Sequence, residues 1–222
     1  MTTRAKGTNG REQAVQRIVN EIQEMIVGGE LLPGQQIRQE QMAERFSVSR
    51  LPIREALRHL LATGLVTHQY NFGFSVARLN QAEFDQLYLM RDLLESAIIR
   101  SLPEAKPRHL ERLTELNDAI SVAAERADAG AVRQLNKEFH FTMFRDSPLS
   151  LVVDEVERIW GWAMPYHAVF VSDSGERSRI ITEHAQMVET LGRNDVEGLV
   201  QLMMNHRAKS EARLNSLLSP HP

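Results

Sequence analysis

The three-residue connection Ser47-Val48-Ser49, set between two segments of helical periodicity, constrains this chain more than any other feature. Before it, "QEQMAERF" places Met42, Ala43 and Phe46 on one face; after it, "RLPIREALRHLL" does the same for Ile53, Ala56, Leu57 and Leu60. Two short amphipathic helices joined this tightly pack as one unit. Ser49 is a good N-cap for the second helix, and Pro52 falls in its first turn, where a missing N–H costs nothing. Arg50 and Arg54, four residues apart, stack on the face opposite the apolar one.

The flanks complete the unit. From Glu12 to Val27, the residues Val15, Ile18, Val19, Ile22, Met25 and Ile26 recur at helical spacing, and "GGELLPGQQI" then breaks the helix. After Gly64, "LVTHQYNFGFSVARL" carries β-branched and aromatic residues around Asn71 and Gly73, which predicts two short strands joined by a turn. Three helices and a two-stranded wing make a winged helix-turn-helix, whose third helix normally enters the major groove of DNA. Arginine suits that place, because its planar fork grips a guanine edge or a phosphate with two hydrogen bonds. Arg50 and Arg54 are therefore the expected DNA contacts, with Ser49, Gln69, Asn71 and Gly73 adding phosphate or minor-groove contacts. Two exposed arginines on a helix also suit a plain solvated face, and it is the short helix, tight turn, cap and wing together that favour DNA.

Charge supports a division of labour. Residues 1–78 hold ten Lys and Arg against seven Glu, a balance of +3, while residues 79–222 hold sixteen against twenty-two, a balance of −6. Polyanion contact is thereby assigned to the first part. The chain has no cysteine, so disulfides and thiolate metal sites are excluded and any metal must be held by histidine, carboxylate or amide oxygen. No apolar run approaches the roughly 20 residues of a membrane span, and "MTTRAKGTNG" lacks a secretory core, which makes the cytoplasm the expected compartment.

From Leu79 onward the sequence predicts helices throughout. Asn80 caps a helix running to about Ser101; further helices are expected over Arg108–Ala127, Ala131–Phe144, Leu149–Met164, Arg177–Leu191 and Asp195–Leu218, and Pro165 is expected to end or kink its helix. "DAG", "DSP", "SDSG" and "GRND" separate them. The expected fold is mostly α: a flexible N-terminus over 1–10, a winged helix-turn-helix over 11–78, and an antiparallel all-helical bundle of six or seven helices over 79–222.

Within the bundle, Asn136 and His140 lie one turn apart in "NKEFHFTMF" and share a face. His184 and His206 lie on consecutive helices at comparable distances from the "GRND" turn, so their rings can reach one level. Three imidazoles and an amide oxygen can thus converge on one ion. A histidine on a half-apolar helix is, however, commonly a satisfied core residue, and spacing leaves both readings open. Phe139, Phe141, Met143 and Phe144 read as bundle core, and Trp160, Trp162, Tyr166 and His167 as filling beside Pro165.

"IRQEQMAERFSVSRLPIREALRHLLATGLV" followed by "YNFGFSV" resembles the N-terminal domain of GntR-family bacterial transcriptional regulators. The resemblance implies that Arg50 and Arg54 contact operator DNA and that Asn71 and Gly73 form the wing tip. Arg38 stands where the family usually has a Ser-like cap, making it either a phosphate contact or a poorer cap, and Ser47 replaces a common turn glycine. Asn136, His140, His184 and His206 are similar to the metal-binding set of the FCD effector domain of the FadR-like branch, with Asn136 where that branch most often has aspartate. Nitrogen-rich donors point to Zn²⁺ or Ni²⁺, with Mn²⁺ admissible, ahead of Mg²⁺ or Ca²⁺. The resemblance further implies a small organic acid effector and a homodimeric repressor on palindromic double-stranded operator DNA. Arg91 matches a family arginine beside the effector cavity, and an ion pair with Glu95 at i+4 is its alternative role. Two rival readings are a regulator for which the ion itself is the signal, and a metal-dependent hydrolase with Glu183 or Glu138 as base; the hydrolase leaves the winged segment unexplained.

Overall fold

The computed structural model describes residues 5–170 and 174–218, with side chains from Glu12 to Tyr166 and from Gly175 to Ala212. The chain divides into two compact units at Arg78 and Leu79. The first contains α1 (Ala5–Val27), β1 (Gln36–Ile37), α2 (Gln39–Arg45), α3 (Arg50–Ala62), β2 (Val66–Gln69) and β3 (Gly73–Val76). α1 packs on α3, burying Ile18, Ile22 and Ile26 with Ile53, Leu57 and Leu60, and Met42 and Ala43 of α2 are buried as well. The apolar periodicity of each helix thus becomes the core of this unit.

Ser47 holds the tight turn in the left-handed region at φ 52, and the Val48 N–H donates to the Ala43 carbonyl at 3.0 Å. A serine there carries a steric cost of about 1–2 kcal/mol that a glycine avoids. Ser49 occupies the N-cap position of α3, but its side chain makes no capping hydrogen bond, and neither does that of Arg38 at the head of α2. Of the two, Ser49 departs from its expected capping role, and the residue is exposed.

Two further features of this unit differ from the expectations. The wing has three strands: β1 pairs with β3, which pairs with β2, all antiparallel, in the order β1-β3-β2. β1 is two residues long and cannot display a period of two, so it hides within the helix-breaking stretch. α1 also reaches back to Ala5, taking in residues expected to belong to the flexible N-terminus.

The second unit contains α4 (Gln81–Arg100), α5 (Pro107–Glu125), α6 (Ala129–Phe144), α7 (Ser150–Phe170), α8 (Ser174–Gly192) and α9 (Val196–Leu218). A capping box opens α4: the Glu83 N–H donates to Asn80 Oδ1 at 3.0 Å and the Asn80 N–H to Glu83 Oε2 at 2.8 Å. α5 packs on α6 and α8, α9 on α4 and α8, and α7 on α4, α6 and α9. α7 continues through Pro165 to Phe170 instead of ending at Met164. The ring of a helical proline crowds the carbonyl four residues back, which here belongs to Gly161, a residue free to adjust. The Tyr166 hydroxyl accepts the Leu79 N–H at 2.7 Å; the side chain of His167 and the residues 171–173 of the "SDSG" stretch lie outside the described residues.

Candidate metal centre and nucleic-acid interface

α6, α8 and α9 bring His140, His184 and His206 together. One ligand nitrogen from each lies within 4.8 Å of the others, and the Nε2 atoms of His140 and His184 are 3.3 Å apart. His140 and His184 are fully buried and His206 nearly so. Burial pushes the His140 and His184 imidazoles well below their ordinary value, with further lowering of His140 by the neighbouring histidines, Arg91 and Arg207. His206 is also lowered by burial, against the opposing pull of Glu183. All three rings are therefore neutral near pH 7, the state in which an imidazole has a lone pair to donate.

The ring orientations have physical causes. Phe139 stacks on His184 with centroids 3.9 Å apart and planes 4° from parallel, and Trp160 packs at 5.1 Å from His140. His206 Nδ1 lies 2.7 Å from Glu183 Oε2, an arrangement that fixes the tautomer and leaves the Nε2 lone pair available to a metal. Burial raises the Glu183 carboxyl, but hydrogen bonds from His206 and Lys209 outweigh it and hold the group at about 2. Asn136, one turn before His140, has its Oδ1 buried with no hydrogen-bond partner among the described residues. A buried amide oxygen left unpaired costs about 1–3 kcal/mol. Three neutral imidazole nitrogens fit a borderline-soft divalent metal.

From the sequence Glu183 enters only as the base of the rival hydrolase reading. Its carboxylate reaches His206 on the next helix, a contact that spacing along one helix cannot reveal. Arg91 shows the ion pair that was its alternative role: its Nε donates to Glu95 Oε1 at 2.7 Å. Glu95 also accepts from Trp160 Nε1 at 2.8 Å and from Arg207 Nη1 at 2.6 Å, while Arg207 pairs further with Asp92. The Arg91 guanidinium lies 4.3 Å from the Trp160 ring centroid. Burial raises the Glu95 carboxyl, but the two arginines outweigh it and its pKa falls below the ordinary value. Arg207 escaped sequence reasoning; the signal was the placement of Arg91 and Glu95 on the buried, otherwise apolar face of α4, which requires a charged partner from elsewhere.

In the first unit, Ser49, Arg50 and Arg54 come from the start of α3, and Arg38 from the residue before α2; all four are exposed. Arg50 makes a surface ion pair with Glu40. Arg38 and Arg54 make no ion pair among the described residues. Gln69, Asn71 and Gly73 form the wing turn, Asn71 and Gly73 at φ 67 and 81. The aromatic residues Tyr70 and Phe72 at that turn, overlooked as candidates, are among the most exposed large side chains described.

A helix-turn-helix with a wing, followed by a separate helical unit, is the build of a DNA-binding protein. Residues 14–76 match the model of bacterial regulatory proteins of the gntR family and residues 86–209 that of the FCD domain; the chain belongs to the GntR family of transcriptional regulators. It is 29% identical over 192 residues, 84% of each chain, to the uncharacterized HTH-type transcriptional regulator YdhC of Bacillus subtilis. To the HTH-type transcriptional regulator McbR of Escherichia coli it is 23% identical over 186 residues, 82% of this chain and 84% of that one. The solved structure of E. coli McbR/YncC shares the fold with a TM-score of 0.78 at 19% identity, covering 93% of this chain and 99% of that one. The gluconate operon transcriptional repressor of Bacillus licheniformis is 27% identical over 156 residues, 70% of this chain and 62% of that one. These relatives are regulators, and the hydrolase reading is set aside. Among the described residues no helix is long and apolar enough to cross a membrane.

Proposed function

We propose that this chain is a cytoplasmic, homodimeric repressor whose affinity for palindromic operator DNA is set by a small organic acid bound at a metal-containing chamber in the helical unit. The observation that carries the sensing half is the convergence of three buried neutral imidazoles, with Asn136 one helical turn before His140 carrying a buried, unpaired Oδ1. Asn136, His140, His184 and His206 would hold the ion, Zn²⁺ or Ni²⁺ first and Mn²⁺ next. Its role when bound is to supply a positive charge and open coordination positions. Because none of these four side chains is anionic, they would leave that charge uncompensated, which favours a carboxylate effector. Arg91 contributes positive potential to the same chamber from within its ion pair and orients Trp160 over His140.

On the DNA side, Arg50 and Arg54 read base edges or grip phosphates from the start of α3. Ser49 and Arg38 add backbone contacts, and Gln69, Asn71 and Gly73 carry the wing tip to the adjacent groove. The free exposure of Arg54 and Arg38 supports this, since a cation without an internal partner meets a phosphate at little desolvation cost. For the effector to regulate, it must bind the DNA-competent and DNA-incompetent states unequally, by about 1–3 kcal/mol.

Two measurements test the proposal. Elemental analysis of purified protein, with a thermal-shift screen of organic acids before and after chelation, is expected to give one ion per chain and an acid whose stabilisation disappears with the ion. Operator affinity that follows the metal alone, with no acid changing it, identifies the ion itself as the signal. Arg54→Ala is expected to weaken specific operator binding by about 1–3 kcal/mol while leaving metal content unchanged; unaltered affinity at matched salt removes Arg54 from the interface.

A further inference from the structure

The wing is built unlike the helix beside it. Residues 66–76, "VTHQYNFGFSV", contain no lysine, arginine, aspartate or glutamate. At its tip Tyr70 is 86% and Phe72 69% exposed. The backbone beneath them is firmly held. The Phe72 N–H donates to the Gln69 carbonyl at 3.1 Å, Gln36 Nε2 donates to the Phe72 carbonyl at 2.6 Å, and Asn71 and Gly73 take the positive φ values the turn requires. Two large rings are thus displayed on a fixed turn, where their apolar area favours removal from water.

The surroundings indicate what removes it. Phe72 borders a cleft of about 380 Å³ together with Arg38, Glu40 and Arg50, and Phe74 separates that cleft from one of similar volume bordered by Arg54, Arg58 and His68. A second protein surface would have to cover these cations along with the rings, whereas a nucleic-acid duplex offers phosphates to the arginines and flat apolar base and sugar faces to the rings. We infer that Tyr70 and Phe72 form an uncharged aromatic wedge with which the wing enters the minor groove of the operator and partly unstacks a deformable base step. This assignment rests on the DNA-contact reading above and extends it: the wing selects sequence by deformability, with pyrimidine–purine steps favoured beneath it, and adds affinity without releasing counterions.

That last property separates the wedge from every cationic contact. The probe is a duplex of about three helical turns, selected by the full-length protein from a random-sequence pool, with 2-aminopurine placed at successive positions on the wing side. Phe72→Ala is expected to weaken binding about tenfold, as for loss of one aromatic contact to a base, with the slope of log K against log salt unchanged and the 2-aminopurine signal lost. Tyr70→Ala has the same signature. Arg54→Ala, by contrast, lowers the salt slope by about one. Phe72→Lys regains affinity at low salt with a slope steeper by about one, yet does not restore the 2-aminopurine signal. Gln36 grips the backbone of residue 72, so these replacements leave the turn intact, which thermal unfolding checks.

Unchanged affinity for both aromatic variants, while Arg54→Ala weakens binding, overturns the wedge alone. A salt slope that falls with Phe72→Ala overturns it too, because the loss then runs through the cations. Loss of affinity accompanied by dissociation of the protein in sedimentation assigns the rings to a second copy of the chain, and again the wedge fails. An Arg54→Ala protein that binds normally sinks the underlying helix reading instead.

Discussion

Two sets of arginines, one at the start of α2 and α3 and one in the core of the helical unit, live in opposite surroundings. In the winged unit Arg38 and Arg54 are exposed and make no ion pair among the described residues, and Arg50 shares only a surface pair with Glu40. In the helical unit the side chains of Arg91 and Arg207 are 5% and 3% exposed and both are tied to the wholly buried Glu95. The contrast separates a charge kept for a partner from a charge used by the fold. An exposed guanidinium keeps its hydration until a phosphate replaces it, whereas a buried one is stable only while its carboxylate remains. The sharpest way to break this distinction is to remove the shared carboxylate. Glu95→Ala leaves two buried cations with only Asp92 between them and is expected to destabilise the helical unit by about 3–5 kcal/mol in urea unfolding. Arg54→Ala is expected to shift stability by no more than about 0.5 kcal/mol. A Glu95→Ala protein as stable as its parent would show that the network holds nothing together.

A smaller effect sharpens the comparison inside the helical unit itself. Glu183 is a carboxylate whose assigned work is to orient His206 from behind. Glu183→Gln keeps an oxygen for the Nδ1–H but removes the charge, and metal affinity is expected to fall about 10–100-fold, as for other partners of ligating histidines. Competition with a chelator of known strength measures it. Lys209 loses its carboxylate partner in the same variant, while Arg179 keeps Glu176, so Lys209→Gln is the companion: affinity that falls equally there attributes the effect to the surface pair and removes Glu183 from its orienting role.

What could be read from the sequence follows from the range of the interaction involved. The three helices of the winged unit were legible because Ile18, Ile22, Ile53 and Leu57 repeat at a helical period and are all buried. The histidine cluster was legible only as a possibility: helix geometry permitted His184 and His206 to meet, and the packing of α8 on α9 brings them together. What stayed hidden was every contact between side chains distant in sequence, with no period to announce it. Glu183 to His206 and Arg207 to Glu95 are of this kind. So is β1, whose pairing with Ser75 and Phe74 decides its conformation where two residues of local preference cannot. The overlooked aromatics of the wing have a different cause: Tyr70 and Phe72 have ordinary strand propensity, and only the observed turn leaves them uncovered.

The smallest expected effect compares how the units begin their helices. Asn80 heads α4 with a reciprocal capping box, its Oδ1 accepting the Glu83 N–H and its own N–H reaching the Glu83 carboxylate. Ser49 heads α3 in a suitable backbone conformation, φ −73 and ψ 167, yet its hydroxyl makes no capping bond. Both residues are good N-caps by type, so residue preference alone predicts similar losses on replacement by alanine. The contacts predict different ones: Asn80→Ala costs about 1 kcal/mol, whereas Ser49→Ala falls within the few tenths typical of an exposed site. If the Ser49 hydroxyl instead serves a phosphate, its removal weakens DNA binding without touching stability. Thermal unfolding and operator titration of the two variants separate these roles. Equal losses of stability would mean that Ser49 caps α3 in solution after all, and the winged unit would then spend on its own helix a group that the DNA reading assigns to the operator.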